Sequence, residues 1–465
     1  MAKILRSRGL MPARNRVGDR SDIAGKVAIT RRDFVRRAGL ATGMVAAGLG
    51  LDGILAARKA PAYAPGTSIH FLLWRSFSPP ADVEIIRQGT EWEKQNNVRV
   101  RIEQVSGNDI PARAAAAMET KQGPDIISFI HNWQNQYADA LVDVTDICTA
   151  LESKYGGYVE HAKAATMLGG RFTAVPHTIV PHTYVARMSY LKAAGTQEWP
   201  RTWEDLRREG KKWKAAGHPI GQTVAHTFGD AVSFTYAYLW SFGAAERDEK
   251  GRVVIGSKPT LEALKFFKAL WADAMDPGGQ DWDDSSNNRA FLSGAIAATI
   301  NAPSIYLAAS NQLTLDNKGE PLVNDIAHFP NPAGPAGVFH YHYGQQLAIP
   351  KYSKNANACK DFIRWLMDEN QFAKYLRRGQ AYQAAPLKVY MKDPMWDMFP
   401  ALKIYRDHLL EGQHLGWKGP ADAGAARVVQ SYVLIDMLAN VATGKMSPEE
   451  SRKWGERQLK VIYGG

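Results

Sequence analysis

The chain of 465 residues exceeds the roughly 250–300 residues at which one hydrophobic core stops growing, so two lobes are expected. Its formal charge of +11 sits at the start: residues 1–64 hold 13 Lys/Arg against 4 Asp/Glu, and the remainder holds 44 against 42. A nearly neutral body excludes a global electrostatic footprint for nucleic acid. Cys148 and Cys359, the only cysteines, exclude a disulfide framework and a cysteine-rich metal centre.

Thr30-Arg31-Arg32-Asp33-Phe34 precedes a Gly- and Ala-rich apolar stretch, residues 38–57, followed by Arg58 and Lys59. This pattern resembles a twin-arginine export signal; the alternative is a short core helix behind a basic tail. Small-residue patterns at Ala60-Pro61-Ala62 and Ala62-Tyr63-Ala64 put the mature start near residue 63, leaving residues 1–64 as signal peptide and basic extension. With no Cys there to carry a lipid, the expected location is the periplasm. Gly48-Leu49-Gly50-Leu51-Asp52-Gly53 spells the dinucleotide fingerprint, but no strand precedes it. Past this leader no apolar run reaches the ~18 residues of a spanning helix.

Residues 68–74 form an almost continuous apolar run and read as a buried strand. Ser78 and Pro79 then open a helix with Val83, Ile86 and Trp92 as its stripe. The strict alternation of residues 98–103 predicts a half-exposed strand, an Ala-rich helix covers 109–122, and Asp125 to Phe129 is a third strand. Strand, helix, strand, helix, strand implies a parallel α/β sheet, whose ligands sit beyond the carboxyl ends of the strands. That rule points to Trp74, Arg75 and Ser76 after the first strand and to His131, Asn132 and Trp133 after the third. Farther on, Pro200 and Thr202 open one helix, Thr260 caps another, Phe172–Val175 and Gln346–Ile349 are strand-like, and a helix carrying Cys359, Phe362, Ile363 and Leu366 ends before Gly379.

Gly123-Pro124-Asp125-Ile126-Ile127, Leu141-Val142-Asp143-Val144-Thr145, residues 186–195, Pro200-Arg201-Thr202-Trp203-Glu204-Asp205-Leu206, residues 282–288 and residues 290–297 stand in an order that resembles the extracellular solute-binding proteins of sugar-type ABC importers, the maltose-binding-protein-like family. The resemblance covers nearly all of residues 68–460. Arg187 stands where that family has Asn, and Phe129-Ile130-His131-Asn132-Trp133 departs from the segment that contacts maltodextrins, so a maltodextrin is not implied. The resemblance implies a two-lobed periplasmic-binding-protein fold with a central cleft: lobe 1 from 65–180 plus 340–390, lobe 2 from 181–339 plus 391–465. It also implies a monomer that captures a sugar or polyol and delivers it to a membrane permease, with no cofactor.

Sugar recognition needs aromatic planes for ring faces and fixed polar groups for hydroxyls, since each unpaired buried donor or acceptor costs roughly 1–3 kcal/mol. Trp74 and Trp133 are the aromatic candidates, with core packing as the alternative for each; Arg75, Ser76, Asn132 and Asp125 are polar ones, Asp125 with a structural capping role as its alternative. The resemblance places His177, His182 and Tyr184 at the first crossing between lobes, and Trp240, Trp282, Asn287 and Asn301 on the second lobe's cleft face. Tyr343, Gly344 and Gln345 precede the return strand, where Gly344 permits close approach of a ligand. His177 with His182, and His340 with His342, lack a third ligand spaced with them, so no metal is expected. No catalytic motif occurs in the mature chain, and chemistry is not expected. A secreted carbohydrate-active enzyme and a binder of another solute, a glycerol derivative, an amine or an anion, remain the rival readings.

Overall fold

The computed structural model describes residues 63–464; the expected leader lies outside the described residues. β1 (Ser68–Trp74) and β3 (Ile126–Ile130) are central strands whose apolar runs are buried on both faces. β2 (Arg99–Val105) is an edge strand, parallel to β1, with Arg99 and Arg101 exposed. α1 (Pro79–Asn96) joins β1 to β2 and closes at Asn97 with φ 55. Its buried face is Ala81, Ile85, Gln88 and Trp92; of the expected stripe Trp92 packs inward, whereas Val83 and Ile86 are 67% and 47% exposed. Ser78 holds the N-cap position, but its side chain makes no capping bond; its hydroxyl donates to the Gly379 carbonyl at 3.1 Å.

After α2 (Ile110–Thr120) and β3 the chain returns to the same sheet as β4 (Val175–Val180). Only Pro181 and His182 separate β4 from β5 (Thr183–Arg187), which starts a second sheet, flanked on either side by antiparallel β6 (Ala298–Asn301) and β7 (Ile326–Phe329). β8 (Tyr343–Ala348) comes back to the first sheet, whose order is β2-β1-β3-β8-β4 with β8 antiparallel to both neighbours. Two sheets, each clothed by helices, make the two-lobed α/β architecture.

In the second lobe, α3 (Trp203–Ala215) is capped by Thr202, which accepts from the Asp205 amide. α4 (Asp230–Ser241) is buried at every residue, as a helix apolar on all sides must be. α5 (Lys258–Ala274) is capped by Ser257; Thr260, the expected cap, lies inside it and donates its amide to Ser257. The helix expected to end before Gly379 is two, α6 (Ala356–Leu366) and α7 (Glu369–Arg378), because the Asp368 carboxylate accepts from the Asn370 amide and starts a new one. α8 (Ala423–Gln430) meets the 3-10 turn Trp133–Ala140 of the first lobe, while α9 (Val433–Ala442) and α10 (Pro448–Tyr463) pack on α5. Cys148 and Cys359 are buried and free. Among the described residues no helix is long and apolar enough to cross a membrane.

Candidate functional site

The carboxyl ends of β1 and β3 and the start of β8 converge where the first sheet faces residues 226–230 of the second lobe. The Trp74 ring lies 5.3 Å from Phe228, 6.0 Å from Tyr343 and 6.4 Å from Tyr382, centroid to centroid. Tyr343 also meets His131 at 5.5 Å and His182 at 5.1 Å. Phe228 is the second lobe's contribution to this cluster, and Gly107 of the first lobe faces its ring so closely that a Cβ there would lie 2.4 Å from it.

His131 carries the tightest link. A carbonyl only accepts, so Nε2–H donates to the Phe228 carbonyl at 2.8 Å, and Nδ1 is left to accept from the Tyr341 hydroxyl at 2.6 Å. Burial pushes the pKa of this ring down to about 3 and keeps it neutral. Its backbone sits at φ 60, a left-handed conformation that a non-glycine residue holds only where its surroundings impose it. The His131 amide donates to Gly344 at 3.0 Å, and Gln346 donates to the His131 carbonyl at 3.1 Å.

A second network lies on the second-lobe side. Asp230, at the start of α4, accepts from His182 Nε2 at 3.1 Å, Asn287 Nδ2 at 2.6 Å and Asn301 Nδ2 at 3.3 Å. Asp284 accepts from the amides of Gly229 and Asp230, filling donors that a helix N-terminus leaves open. Burial, reinforced by the neighbouring Asp230 charge, raises the Asp284 pKa well above the carboxylate range.

Several buried polar atoms here have no protein partner: Asn132 Oδ1, Trp133 Nε1, Gln345 Nε2, Gln346 Oε1, and the Tyr382 hydroxyl. Native interiors rarely leave such groups unpaired, and Asn132 and Gln346 share the lining of one cavity. The cavity among His131, Asn132, His342, Gly344 and Gln346 measures about 10 Å³, room for about one water. The lobes meet here through the Trp74 and Phe228 rings and through the bond from His131 to the Phe228 carbonyl.

Of the residues read from sequence, Trp74, Asn132, Trp133, His182, Asn287, Asn301, Tyr343, Gly344 and Gln345 meet in these clusters or directly beside them. Trp240 lies deeper, against Tyr236, Tyr341 and Trp417. Others fall elsewhere. Asp125 is at the opposite, amino end of β3, where its carboxylate takes the His70 amide at 2.9 Å and the Ser353 hydroxyl at 2.6 Å. His177 packs on Phe372 and Tyr375 inside the first lobe, and Tyr184 on Trp199 and Trp203 inside the second. Trp282 covers Gly221 and Gly278. Arg75 points into solvent, and Ser76 ties its amide to Asp82 at the start of α1. Phe228, Asp230, Asp284, Tyr341 and Tyr382 were not foreseen. Only Phe228-Gly229-Asp230 left a trace, a turn and an acidic residue opening an aromatic helix.

Residues 79–371 match the family described as "Bacterial extracellular solute-binding protein". The chain is 23% identical over 347 residues to a probable ABC transporter-binding protein of Deinococcus radiodurans, spanning 71% of this chain and 78% of that one. It is 23% identical over 283 residues to a maltotriose-binding protein of Pyrococcus abyssi, spanning 59% of this chain and 57% of that one. Among solved structures, maltose-bound MalE3 of T. maritima superposes with a TM-score of 0.73 at 22% identity, covering 85% of this chain and all (100%) of that one. A sugar transporter from Arthrobacter chlorophenolicus A6 with bound laminaribiose gives 0.71 at 17% identity, covering 85% and 99%. At such identities the two structures establish a shared fold.

Proposed function

This chain belongs to the family of bacterial extracellular solute-binding proteins, and we propose from that premise that it captures a sugar or polyol by lobe closure and hands it to the membrane permease of an ABC importer. The observation that carries this reading is the seam itself, where the aromatic faces of Trp74, Tyr343 and Tyr382 stand beside buried polar atoms that no protein group satisfies. Pyranose faces need the first and hydroxyls the second. The sugars named for the relatives and solved neighbours agree with it.

In this proposal Trp74, Asn132, Trp133, Tyr343 and Gln345, with His131 and Tyr382, line the ligand's first-lobe side. Asp230, positioned by His182, Asn287 and Asn301, faces it from the second. Lobe 1 comprises residues 65–180 and 340–390, and lobe 2 comprises 181–339 and 391–465. Groups from both lobes reach one ligand only in the closed arrangement, so binding favours closure. The protein works as a periplasmic monomer, exported folded by the twin-arginine route and cleaved near residue 63.

Two buried acids, Asp230 and Asp284, beside four aromatic rings favour a second reading in which the solute carries an amine. Thermal-shift screening of the purified protein against sugars, polyols, amines and organic anions decides between them, because a ligand that binds only the native state raises the melting point. Calorimetry on the hits, with recovery of chemically unaltered ligand, separates capture from turnover. A protein that responds to none of these classes, or that converts its ligand, refutes the proposal.

A further inference from the structure

We propose that His340, His408 and Glu411 bind a divalent transition-metal ion of the zinc class at the junction between the lobes. His340 belongs to the segment that leads from β7 back to β8. His408 and Glu411 come from the short helical turns between Lys403 and Glu411, far along the chain. Sequence spacing offers His340 no third ligand; the fold brings one ligand atom from each of the three residues within 4.8 Å of the others.

The His340 side chain is fully buried, at 0% exposure. Its Nδ1 lies 3.4 Å from the His182 carbonyl, which can only accept, so the proton sits on Nδ1 and the Nε2 lone pair points away. That Nε2 has no hydrogen-bond partner. It faces Glu411 Oε2 at 3.8 Å, so an acceptor looks at an acceptor across a gap too long for a hydrogen bond. Two ligands of a tetrahedral zinc ion, each at about 2.0–2.2 Å, stand roughly 3.3–3.5 Å apart. His408 completes the set, its ring stacked 4.9 Å from that of His340 and its Nδ1 2.7 Å from the same Glu411 oxygen.

Binding draws together ligand atoms that lie up to 4.8 Å apart. His340 is anchored, since its backbone carbonyl takes the Gln413 amide. Glu411 is 50% exposed and His408 is 22% exposed, so both have room to swing inward. The hydrogen bond from His340 to the His182 carbonyl is the outer-shell contact that fixes a ligating imidazole. Two imidazoles and one carboxylate suit zinc and its borderline-soft neighbours over magnesium or calcium. Three protein ligands leave a fourth position toward solvent. Because His340 precedes β8 and His182 lies between β4 and β5, an ion here braces two of the strand crossings on which the lobes turn.

The test uses untagged protein stripped with EDTA and titrated with ZnCl2, and in parallel with MgCl2, by calorimetry and thermal melting. One zinc ion per chain, a raised melting point with zinc and no response to magnesium are expected. Glu411→Gln and His408→Gln are each expected to weaken zinc binding by about tenfold or more while melting like the parent without metal. His226→Gln removes an exposed histidine that is paired with Asp436 and is expected to leave zinc binding unchanged. Cobalt(II) in the same site is expected to show ligand-field bands that change in Glu411→Gln. Zinc affinity that is the same in parent, Glu411→Gln and His408→Gln, or a loss as large in His226→Gln, overturns the assignment, as does the absence of stoichiometric binding.

Discussion

Replacing His131 by Asn tests whether the link between the lobes depends on a neutral imidazole. Asn tolerates the left-handed backbone that His131 occupies but does not titrate. In the parent the folded pKa is about 3, below the ordinary 6.5, so the folded state binds fewer protons than the unfolded one. The stabilisation is therefore complete above pH 6.5 and is lost as pH falls toward 3. At about 1.36 kcal/mol per pH unit, His131 alone removes about 2 kcal/mol between pH 6.5 and pH 5. The faces packed on it carry His182, Tyr341 and Tyr343, and other buried histidines, His161, His177, His328 and His340 among them, shift in the same direction. The total slope is thus shared, and the difference between parent and variant isolates this ring. At pH 8 the variant lacks the bonds to Phe228 and Tyr341 and is expected to be roughly 2 kcal/mol less stable. By pH 5 the gap closes, a change of about 2–3 °C in melting point for a chain of about 400 ordered residues. Melting curves or urea titrations at half-unit steps from pH 8 to 5 read it directly. Parallel curves for the two proteins across that range refute the reasoning.

Glu246, fully buried beside Tyr463 and Tyr236, has the opposite sign: burial raises its pKa from 4.5 to about 7. The stability it lends below pH 4.5 is lost as pH rises through 7, and Glu246→Gln should be more stable than the parent at pH 8 by up to about 3 kcal/mol, read by urea unfolding. Gly107→Ala puts a methyl group into the Phe228 ring, and overpacking of about 1–3 kcal/mol should favour the open arrangement. The expected readout is a larger radius of gyration by small-angle scattering and weaker binding of any ligand found in the screen. Trp133→Phe removes an indole N–H that has no protein partner, so the ligand-free melting point should hold or rise while ligand affinity falls. A drop in both would mean that Trp133 is only core.

The sequence made the first lobe readable because its central strands are continuous apolar runs, and the rule that ligands gather at strand carboxyl ends then led to Trp74 and Trp133. The same rule should have demoted Asp125, which stands at the amino end of its strand and serves two neighbouring backbone and hydroxyl donors. Tyr184 shows a different limit. Periodicity establishes that β5 is a strand but not which of its faces turns toward the other lobe, and this ring faces its own lobe's tryptophans. Phe228 and Tyr382 could not be found in one dimension, since each meets Trp74 only when a segment far along the chain folds back onto the end of β1. The strand-end rule points to His131 as well, but its significance lies in a left-handed backbone conformation that residue type alone does not announce.

The closed seam bears on how a ligand is admitted. Beyond ring contacts, hydrogen bonds cross it from His131 to the Phe228 carbonyl, from Asn132 and Asn135 to the Ala421 carbonyl, from His161 to the Leu409 carbonyl and from His342 to the His408 carbonyl, and the reciprocal amide pair of Asn311 and Gln380 lies at the exposed rim. Net of the bonds that water offers on separation, each is worth roughly 0.5–1.5 kcal/mol. Under the proposed function, a monosaccharide exceeds the cavity of about 10 Å³ among His131, Asn132 and Gln346, so its entry there requires separation of the lobes. A solute that takes over the unpaired atoms of Asn132, Trp133, Gln345 and Tyr382 on reclosure recovers interactions that the ligand-free closed form lacks. Under the proposed function, selectivity follows from matching those donors and acceptors, since a solute lacking the matching hydroxyl leaves them buried and unpaired at about 1–3 kcal/mol apiece.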